Sequence, residues 1–172
     1  MTIPPIPGGR SDEPLDLGTI LLKPAKKMVD VKISEPAPAF RIDTVDGKTI
    51  SLADHRGKYV LLDFWATWCG PCLIETPHLK AVFEAFGKDG RLVMVGLSLD
   101  KTQADPRQYA AKHGLGWIQG FLGEWADGKL PDEYGVRGIP SIWLIGPDGK
   151  VIAKDLRGAQ IKTAVATALG QQ

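Results

Sequence analysis

Cysteine is scarce in this sequence: Cys69 and Cys72 are the only two, so the chain cannot form the disulfide framework of small secreted domains. An excess of charge is also missing, because 21 Lys and Arg residues balance 20 Asp and Glu residues to a formal net charge of +1. Nucleic-acid-binding proteins present basic stripes, so we expect no nucleic-acid partner. The longest apolar runs, 59–66 and 92–97, have the length of strands and are too short to span a bilayer.

A secretory signal is another missing feature. Residues 1–10 are rich in proline and glycine, and they lack the charged start and apolar segment of such a signal. Two interpretations stay open: the protein remains in the cytosol, or the sequence starts after a signal, an anchor or an upstream domain.

Proline is concentrated at the N-terminal end, where seven of the 13 prolines fall within the first 38 residues. We therefore expect residues 1–35 to form a proline-rich extension or linker, and residues 36–172 to form one domain. Within the extension, 19–23 and 29–33 have the pattern of short strands. They are the last strands of a preceding β domain, an edge addition to this domain, or a linker with incidental β character.

From residue 40 onward, strand and helix patterns alternate. Residues 40–44 and 48–52 flank an Asp-Gly turn and predict a hairpin. Residues 59–65 and 91–97 are nearly continuous apolar runs, typical of strands covered on both faces. Further patterns predict a helix from about Gly70 to Gly87, a helix over 105–113, a hairpin of 141–145 with 150–153, and a closing helix over 159–169. Strand–helix alternation predicts an α/β fold with parallel pairing.

The two cysteines stand in Trp68-Cys69-Gly70-Pro71-Cys72, where a strand gives way to a helix. A bridge across so short a loop constrains few unfolded conformations, so this spacing favours a redox pair over a structural staple. At the helix mouth, unpaired amides and the helix dipole stabilise a Cys69 thiolate. Pro71 suits the first turn, and Gly70 leaves the approach to the sulfur open. Cys72 lies one turn further in, within reach of Cys69.

Two acids and one tryptophan accompany the cysteines. Asp63 stands in an apolar strand, where burial raises a carboxyl pKa and makes it a candidate proton acceptor; alternatively it points outward or caps a neighbouring group. Glu75 shares a helical face with Cys72 and is either functional or an ordinary exposed glutamate. Trp68 offers an apolar contact to a protein substrate or is a core aromatic.

Two stretches of sequence together resemble the thioredoxin superfamily. The run 64–72 ends in the cysteine motif, and 138–141 reads Gly-Ile-Pro-Ser before the late hairpin. Within the superfamily, the pattern Cys72-x-x-Glu75-x-Pro77 and the leading hairpin are similar to the TlpA/ResA-like thiol-disulfide reductases, close to the AhpC/TSA-like group. The resemblance covers about residues 36–170. It implies a three-layer α/β/α sandwich with a central mixed sheet and an N-terminal β-hairpin.

The resemblance also implies roles for individual residues. Pro140 would be cis beside the dithiol, and the backbone of Ile139 would pair with the substrate chain. The same loop would pack over the thiols and prevent metal capture, so we expect no metal and no cofactor. Asp63 matches the buried aspartate of thioredoxins, which assists deprotonation of the second cysteine. Glu75 matches a glutamate of TlpA/ResA-like proteins that modulates dithiol protonation and substrate choice.

The function that we expect is reduction of protein disulfides, in which Cys69 attacks and Cys72 then releases the reduced substrate. The partners are a disulfide-containing protein substrate and an electron-donor thiol protein, and we expect a monomer. The resemblance implies an extracytoplasmic location, in the periplasm or cell envelope, and a connection with cytochrome c-type biogenesis.

Two alternatives differ in class. A peroxiredoxin needs a Pro-x-x-x-Thr-x-x-Cys run, but Leu62 and Ala66 stand at the required positions before Cys69. A metal-binding or metallochaperone module needs further ligands besides the cysteines, and the three histidines, His55, His78 and His113, show no paired spacing.

Overall fold

A five-stranded mixed sheet lies at the centre of the fold, with a separate two-stranded hairpin before it. The computed structural model describes residues 29–124 and 129–170. In chain order the elements are β1 (Arg41–Asp43), β2 (Thr49–Ser51), a 3-10 helix (Leu52–His55), β3 (Tyr59–Trp65), α1 (Gly70–Phe86), β4 (Leu92–Ser98), α2 (Ala104–His113), β5 (Ile118–Phe121), α3 (Lys129–Glu133), β6 (Ser141–Ile145), β7 (Val151–Ala153) and α4 (Ala159–Leu169).

The strand order in the sheet is β5-β4-β3-β6-β7, and β1 pairs with β2 in the hairpin. The central strand β3 runs parallel to β4 and antiparallel to β6. Its alternate residues face opposite sides: Leu61 belongs to the core shared with α1 and α4, while Leu62 belongs to the core under the hairpin and α3. Both faces of the sheet are therefore covered, and the expected α/β/α layering with its N-terminal hairpin is confirmed.

Most of the predicted elements are present. The first hairpin is shorter than predicted, and Gly47 in its turn has a φ of +83°, which a side chain would disfavour. The closing helix has the predicted bounds, and α1 ends one residue before Gly87. Three short elements, the 3-10 helix, β5 and α3, were not predicted.

The described part of the N-terminal extension packs against the edge of the sheet. Residues 29–33 do not form the predicted strand, and Pro36, further along, makes an isolated antiparallel bridge with Lys150. Ser34 N donates to the carbonyl oxygen of Val151 at 2.8 Å, and Val31 is buried in the core under the hairpin. The interpretation of the extension stays a prediction, and the predicted strand 19–23 lies outside the described residues. The domain division at residue 35 stays a prediction.

None of the helices within 29–124 and 129–170 combines the length and the apolar character that crossing a bilayer requires.

Candidate active site

The cysteine motif lies at the carboxyl end of β3, where the chain turns into α1. Cys69 is the N-cap residue of α1, with φ −88° and ψ 95°, and the helix begins at Gly70 with Pro71 in its first turn. That turn contains no acidic residue, so no carboxylate competes with Cys69 for the positive end of the helix. Both Gly70 and Pro71 are exposed to solvent, which leaves one side of the motif open to a partner.

The two sulfurs are bonded in this structure, which therefore represents the oxidised protein. The Sγ atoms of Cys69 and Cys72 are 2.05 Å apart, and the residues are only 5% and 4% exposed. The backbone amide of Cys72 donates a hydrogen bond to Cys69 Sγ at 3.2 Å. In the reduced protein the same amide is placed to stabilise a Cys69 thiolate.

The loop before β6 packs against the disulfide. The Ile139–Pro140 peptide bond is cis, as the resemblance implied. The carbonyl oxygen of Ile139 lies 3.7 Å from Cys69 Sγ, so this backbone borders the reactive sulfur. Pro140 is buried and Ile139 is half-buried, so the carbonyl, rather than a polar side chain, is the group presented beside Cys69.

Asp63 is buried beneath this arrangement. It lies on the face of β3 that also carries Leu61 and Trp65, two residues of the same core as the cysteines, and it is 6% exposed. Its Oδ1 has no hydrogen-bond partner among the described residues. Burial raises the Asp63 pKa to about 7, the guanidinium of Arg157 opposes this rise, and the Glu75 carboxylate adds to it. The interpretation that Asp63 points outward is therefore wrong.

Glu75 is also buried, with an exposed fraction of 8%, so it is not an ordinary surface glutamate. Its Oε2 accepts a hydrogen bond from the backbone amide of Gly158 at 2.7 Å. This bond ties α1 to the turn that precedes α4. The structure thus places both predicted acids in the interior, Asp63 on β3 and Glu75 on α1, and it gives a protein hydrogen-bond donor to Glu75.

Trp68 is 64% exposed, which excludes the interpretation as a core aromatic. Ile74 in α1 is 70% exposed and was not singled out from the sequence. Exposed apolar side chains of this size near a reactive centre are suited to contact a protein partner. Nothing in the sequence around Ile74 indicates that this apolar side chain is exposed in the folded protein.

Sequence reasoning also missed two polar residues at the site. Asp100 accepts hydrogen bonds from the backbone amide and the hydroxyl of Thr67, at 3.0 and 2.6 Å, and so fixes the turn before Cys69. A signal existed, since Asp100 follows β4, and the carboxyl ends of the parallel strands β3 and β4 meet at one edge. Arg157 donates to the carbonyl oxygens of Pro140 and Leu156, a contact for which the sequence holds no signal.

Within the described ranges, no three or more His, Cys, Asp and Glu side chains are grouped so as to hold a metal ion. His113 stacks on Tyr109 at the end of α2, with ring centroids 4.1 Å apart, and His78 is exposed on α1.

A mixed sheet of this order, with a Cys-x-x-Cys disulfide opening a helix next to a cis-proline loop, defines a thiol-disulfide oxidoreductase of the thioredoxin superfamily. The sequence model of the AhpC/TSA family matches residues 33–154, and the chain belongs to this family. Among curated proteins, it is similar to thiol-disulfide oxidoreductase ResA from Bacillus thuringiensis subsp. konkukian. The identity is 32% over 132 residues, which cover 77% of this chain and 73% of that protein.

Solved structures show the same likeness. The thioredoxin domain of a thiol-disulfide oxidoreductase from Bacteroides vulgatus superposes with a TM-score of 0.74 at 33% identity, covering 80% of this chain and 98% of that one. A thiol:disulfide interchange protein of the thioredoxin family from Chlorobium tepidum superposes with a TM-score of 0.67 at 27% identity, covering 83% and 100%. These relatives favour thiol-disulfide oxidoreductase activity over the peroxidase and metal-binding alternatives.

Proposed function

We propose that this thiol-disulfide oxidoreductase reduces disulfide bonds in other proteins through a Cys69/Cys72 dithiol–disulfide cycle. The observation that carries the proposal is the position of the disulfide, with Cys69 as N-cap of α1 and the Ile139 carbonyl 3.7 Å from its sulfur. An N-cap sulfur that accepts an amide hydrogen bond is stabilised as thiolate, which is the attacking form.

The cycle balances in two displacements. The Cys69 thiolate attacks one sulfur of the substrate disulfide, that S–S bond breaks, and the released substrate thiolate takes up a proton. The Cys72 thiol then loses its proton and attacks Cys69 Sγ in the mixed disulfide. The second substrate sulfur leaves as a thiolate, so the substrate gains two electrons and the enzyme becomes the disulfide seen here.

Asp63 is the proposed acceptor of the Cys72 proton. It is buried in the same core as the cysteines, and its unpartnered Oδ1 is free to take up a proton. A pKa of about 7 matches a base that works near neutral pH, because it holds and releases a proton in that range. Glu75 is the proposed modulator, since its carboxylate raises the Asp63 pKa from a position fixed by the Gly158 amide.

The exposed groups around the dithiol are the proposed substrate-binding surface. Trp68 supplies the largest exposed apolar side chain there, while Gly70 and Pro71 leave the sulfur approachable. The Ile139 backbone lies beside Cys69, where it can hydrogen-bond to an extended segment that carries the substrate disulfide.

A thiol-disulfide oxidoreductase acts on a disulfide-containing substrate and needs a thiol reductant. We propose that this reductant is a protein dithiol and that the chain acts as a monomer. The likeness to ResA-type reductases supports an extracytoplasmic location and clients that include apocytochromes. The location can be tested by expressing the full-length gene in its host, fractionating the cells and detecting the protein in each fraction.

Insulin reduction tests the core of the proposal. We expect Cys69→Ala to abolish turnover, because the attacking thiolate is gone, and Cys72→Ala to accumulate mixed disulfides, because they are no longer resolved. Exposed Lys88→Ala, beyond the C-terminal end of α1, serves as the control and should turn over normally. Full turnover by the Cys69→Ala protein would remove the mechanism, and rapid peroxide consumption by the wild type would favour the peroxidase alternative.

A further inference from the structure

The turn between β7 and α4 contacts both the cis-proline loop and a buried acid. Nη2 of Arg157 donates to the carbonyl oxygen of Pro140, and Nη1 donates to that of Leu156 at 2.7 Å. The next residue, Gly158, donates its amide to Glu75 Oε2 at 2.7 Å. Two consecutive residues, Arg157 and Gly158, therefore join the loop beside the disulfide to helix α1.

The positive charge of Arg157 also lowers the Asp63 pKa, against the rise that burial causes. The negative charge of Glu75 in α1 raises the Asp63 pKa. The neighbours of Asp63 across the sheet, Gly96 in β4 and Ile142 in β6, carry no charge.

We propose that Arg157 is a positioning residue of the dithiol reaction, which fixes the cis-proline loop beside Cys69 by donating to the Pro140 carbonyl and holds a permanent positive charge at that loop. The proposal rests on the proposed function of the site. A guanidinium suits this task because its planar fork donates to two carbonyls at once while its charge is permanent. A single side chain thus connects the placement of the Ile139 backbone with the ionisation of the proton acceptor.

Two separable effects follow from this geometry. Loss of the fork frees the Pro140 carbonyl, which loosens the backbone beside Cys69 and weakens substrate binding. Loss of the charge removes the one influence that lowers the Asp63 pKa, while burial and Glu75 still raise it. Asp63 therefore stays protonated to higher pH. Because Arg157 is largely exposed, solvent screens its charge and the electrostatic effect is modest.

The test compares Arg157→Gln, Arg157→Lys and a control, Arg107→Gln, which removes an exposed arginine from α2. One measurement is the KM for insulin. The other is the pH dependence of thiol alkylation in the reduced protein, which requires no turnover. If the wild type fails to reduce insulin, the proposed function falls, while the alkylation profile still tests the placement of Arg157.

We expect Arg157→Gln to move the alkylation midpoint toward alkaline pH by about half a pH unit and to raise the KM about threefold. Arg157→Lys should keep most of the alkylation profile, because the charge remains, but share the raised KM, because an ammonium lacks the fork. The control should match the wild type in both. Coincidence of Arg157→Gln with the control in either measurement overturns the proposal. If Arg157→Gln does not fold, a wild-type KM in Arg157→Lys overturns it.

Discussion

One buried aspartate supports the turn before Cys69 and another lies in the central strand β3, but their hydrogen bonding differs. Asp100, which follows β4, is 1% exposed and accepts bonds from the amide and hydroxyl of Thr67 in that turn and from the hydroxyl of Ser98. In the sheet, Asp63 is 6% exposed and its Oδ1 has no partner among the described residues.

The difference lies in hydrogen bonding, since burial is nearly the same. Bonds to a carboxylate compensate for the water that it loses, so Asp100 acts as a fixed support for the turn. An acid without such bonds is costly to ionise in the interior, and the pKa of Asp63 rises accordingly. Similar burial thus accompanies a carboxylate held by several hydrogen bonds in one region and, in the other, a carboxyl group whose pKa is raised.

The largest effect is expected from Asp63→Asn, which removes the proposed proton acceptor while keeping the shape of the side chain. Resolution of the mixed disulfide should slow on the order of 100-fold at neutral pH, the typical contribution of a general base. In the wild type, this rate should rise with pH through about 7, as Asp63 ionises. Single-turnover reduction of insulin, with Cys72 intact and the release of the second substrate thiol followed in time, would measure both, and a wild-type rate in Asp63→Asn would contradict the role.

The stability of Asp63→Asn tests whether burial raises the Asp63 pKa. Because the Asp63 pKa is raised on folding, the native state holds a proton that the unfolded state has lost between about pH 4 and 7. Stability therefore falls as pH rises through this window. Asp63→Asn should remove the fall and raise the free energy of unfolding at pH 8 by a few kcal/mol, at ~1.4 kcal/mol per pH unit of the shift. Urea denaturation at pH 5 and pH 8 would show it.

Asp100→Ala should act in the opposite direction. It leaves the buried donors of Thr67 and Ser98 without their acceptor, which should lower the free energy of unfolding by about 2 kcal/mol. The same urea experiment measures it, with the exposed Asp105→Ala as the matched control. If Asp63→Asn and Asp100→Ala shifted stability in the same direction, the distinction between the two regions would be lost.

The sequence predicts the residues that react at this site better than it predicts the residues that hold them in place. Cys69, Cys72 and the buried Asp63 all follow from local patterns: a spacing, a helix start and an acid in an apolar strand. Asp100 bonds a residue 33 positions away, which only the pairing of β3 with β4 indicates, and Arg157 bonds a residue 17 positions away, for which the sequence holds no signal. The support for the site depends on tertiary structure, so it appears only when the chain is folded.

There is also a physical reason why the sequence did not predict strand β5. Gly120 interrupts the apolar pattern that would indicate a strand, yet the fold needs it. A Cβ at this position would lie 2.2 Å from Cδ1 of Ile42, because the first hairpin packs closely against β5. Close packing between two elements thus selected the residue that hides the strand in the sequence.

A smaller effect is expected from Glu75→Gln, which keeps an oxygen acceptor for the Gly158 amide but removes the charge. Without that charge the Asp63 pKa should fall, so resolution should reach its half-maximal rate at lower pH. The shift should be on the order of half a pH unit and opposite in sign to that of Arg157→Gln. The pH profile of single-turnover resolution measures it, and an alkaline shift would contradict the modulating role.

The smallest effect should come from Gly70→Ala in the turn region. A Cβ on Gly70 meets no atom within 4 Å, so the fold accommodates it, and the free energy of unfolding should stay the same or rise by about 0.5 kcal/mol. The added methyl group projects into the open approach to Cys69, so the KM for insulin should rise about threefold, an energy below 1 kcal/mol. Reaction of the reduced protein with a small aromatic disulfide should be unchanged, because that reagent needs less room. Equal slowing with both substrates would mean that Gly70 tunes the thiolate and does not serve access.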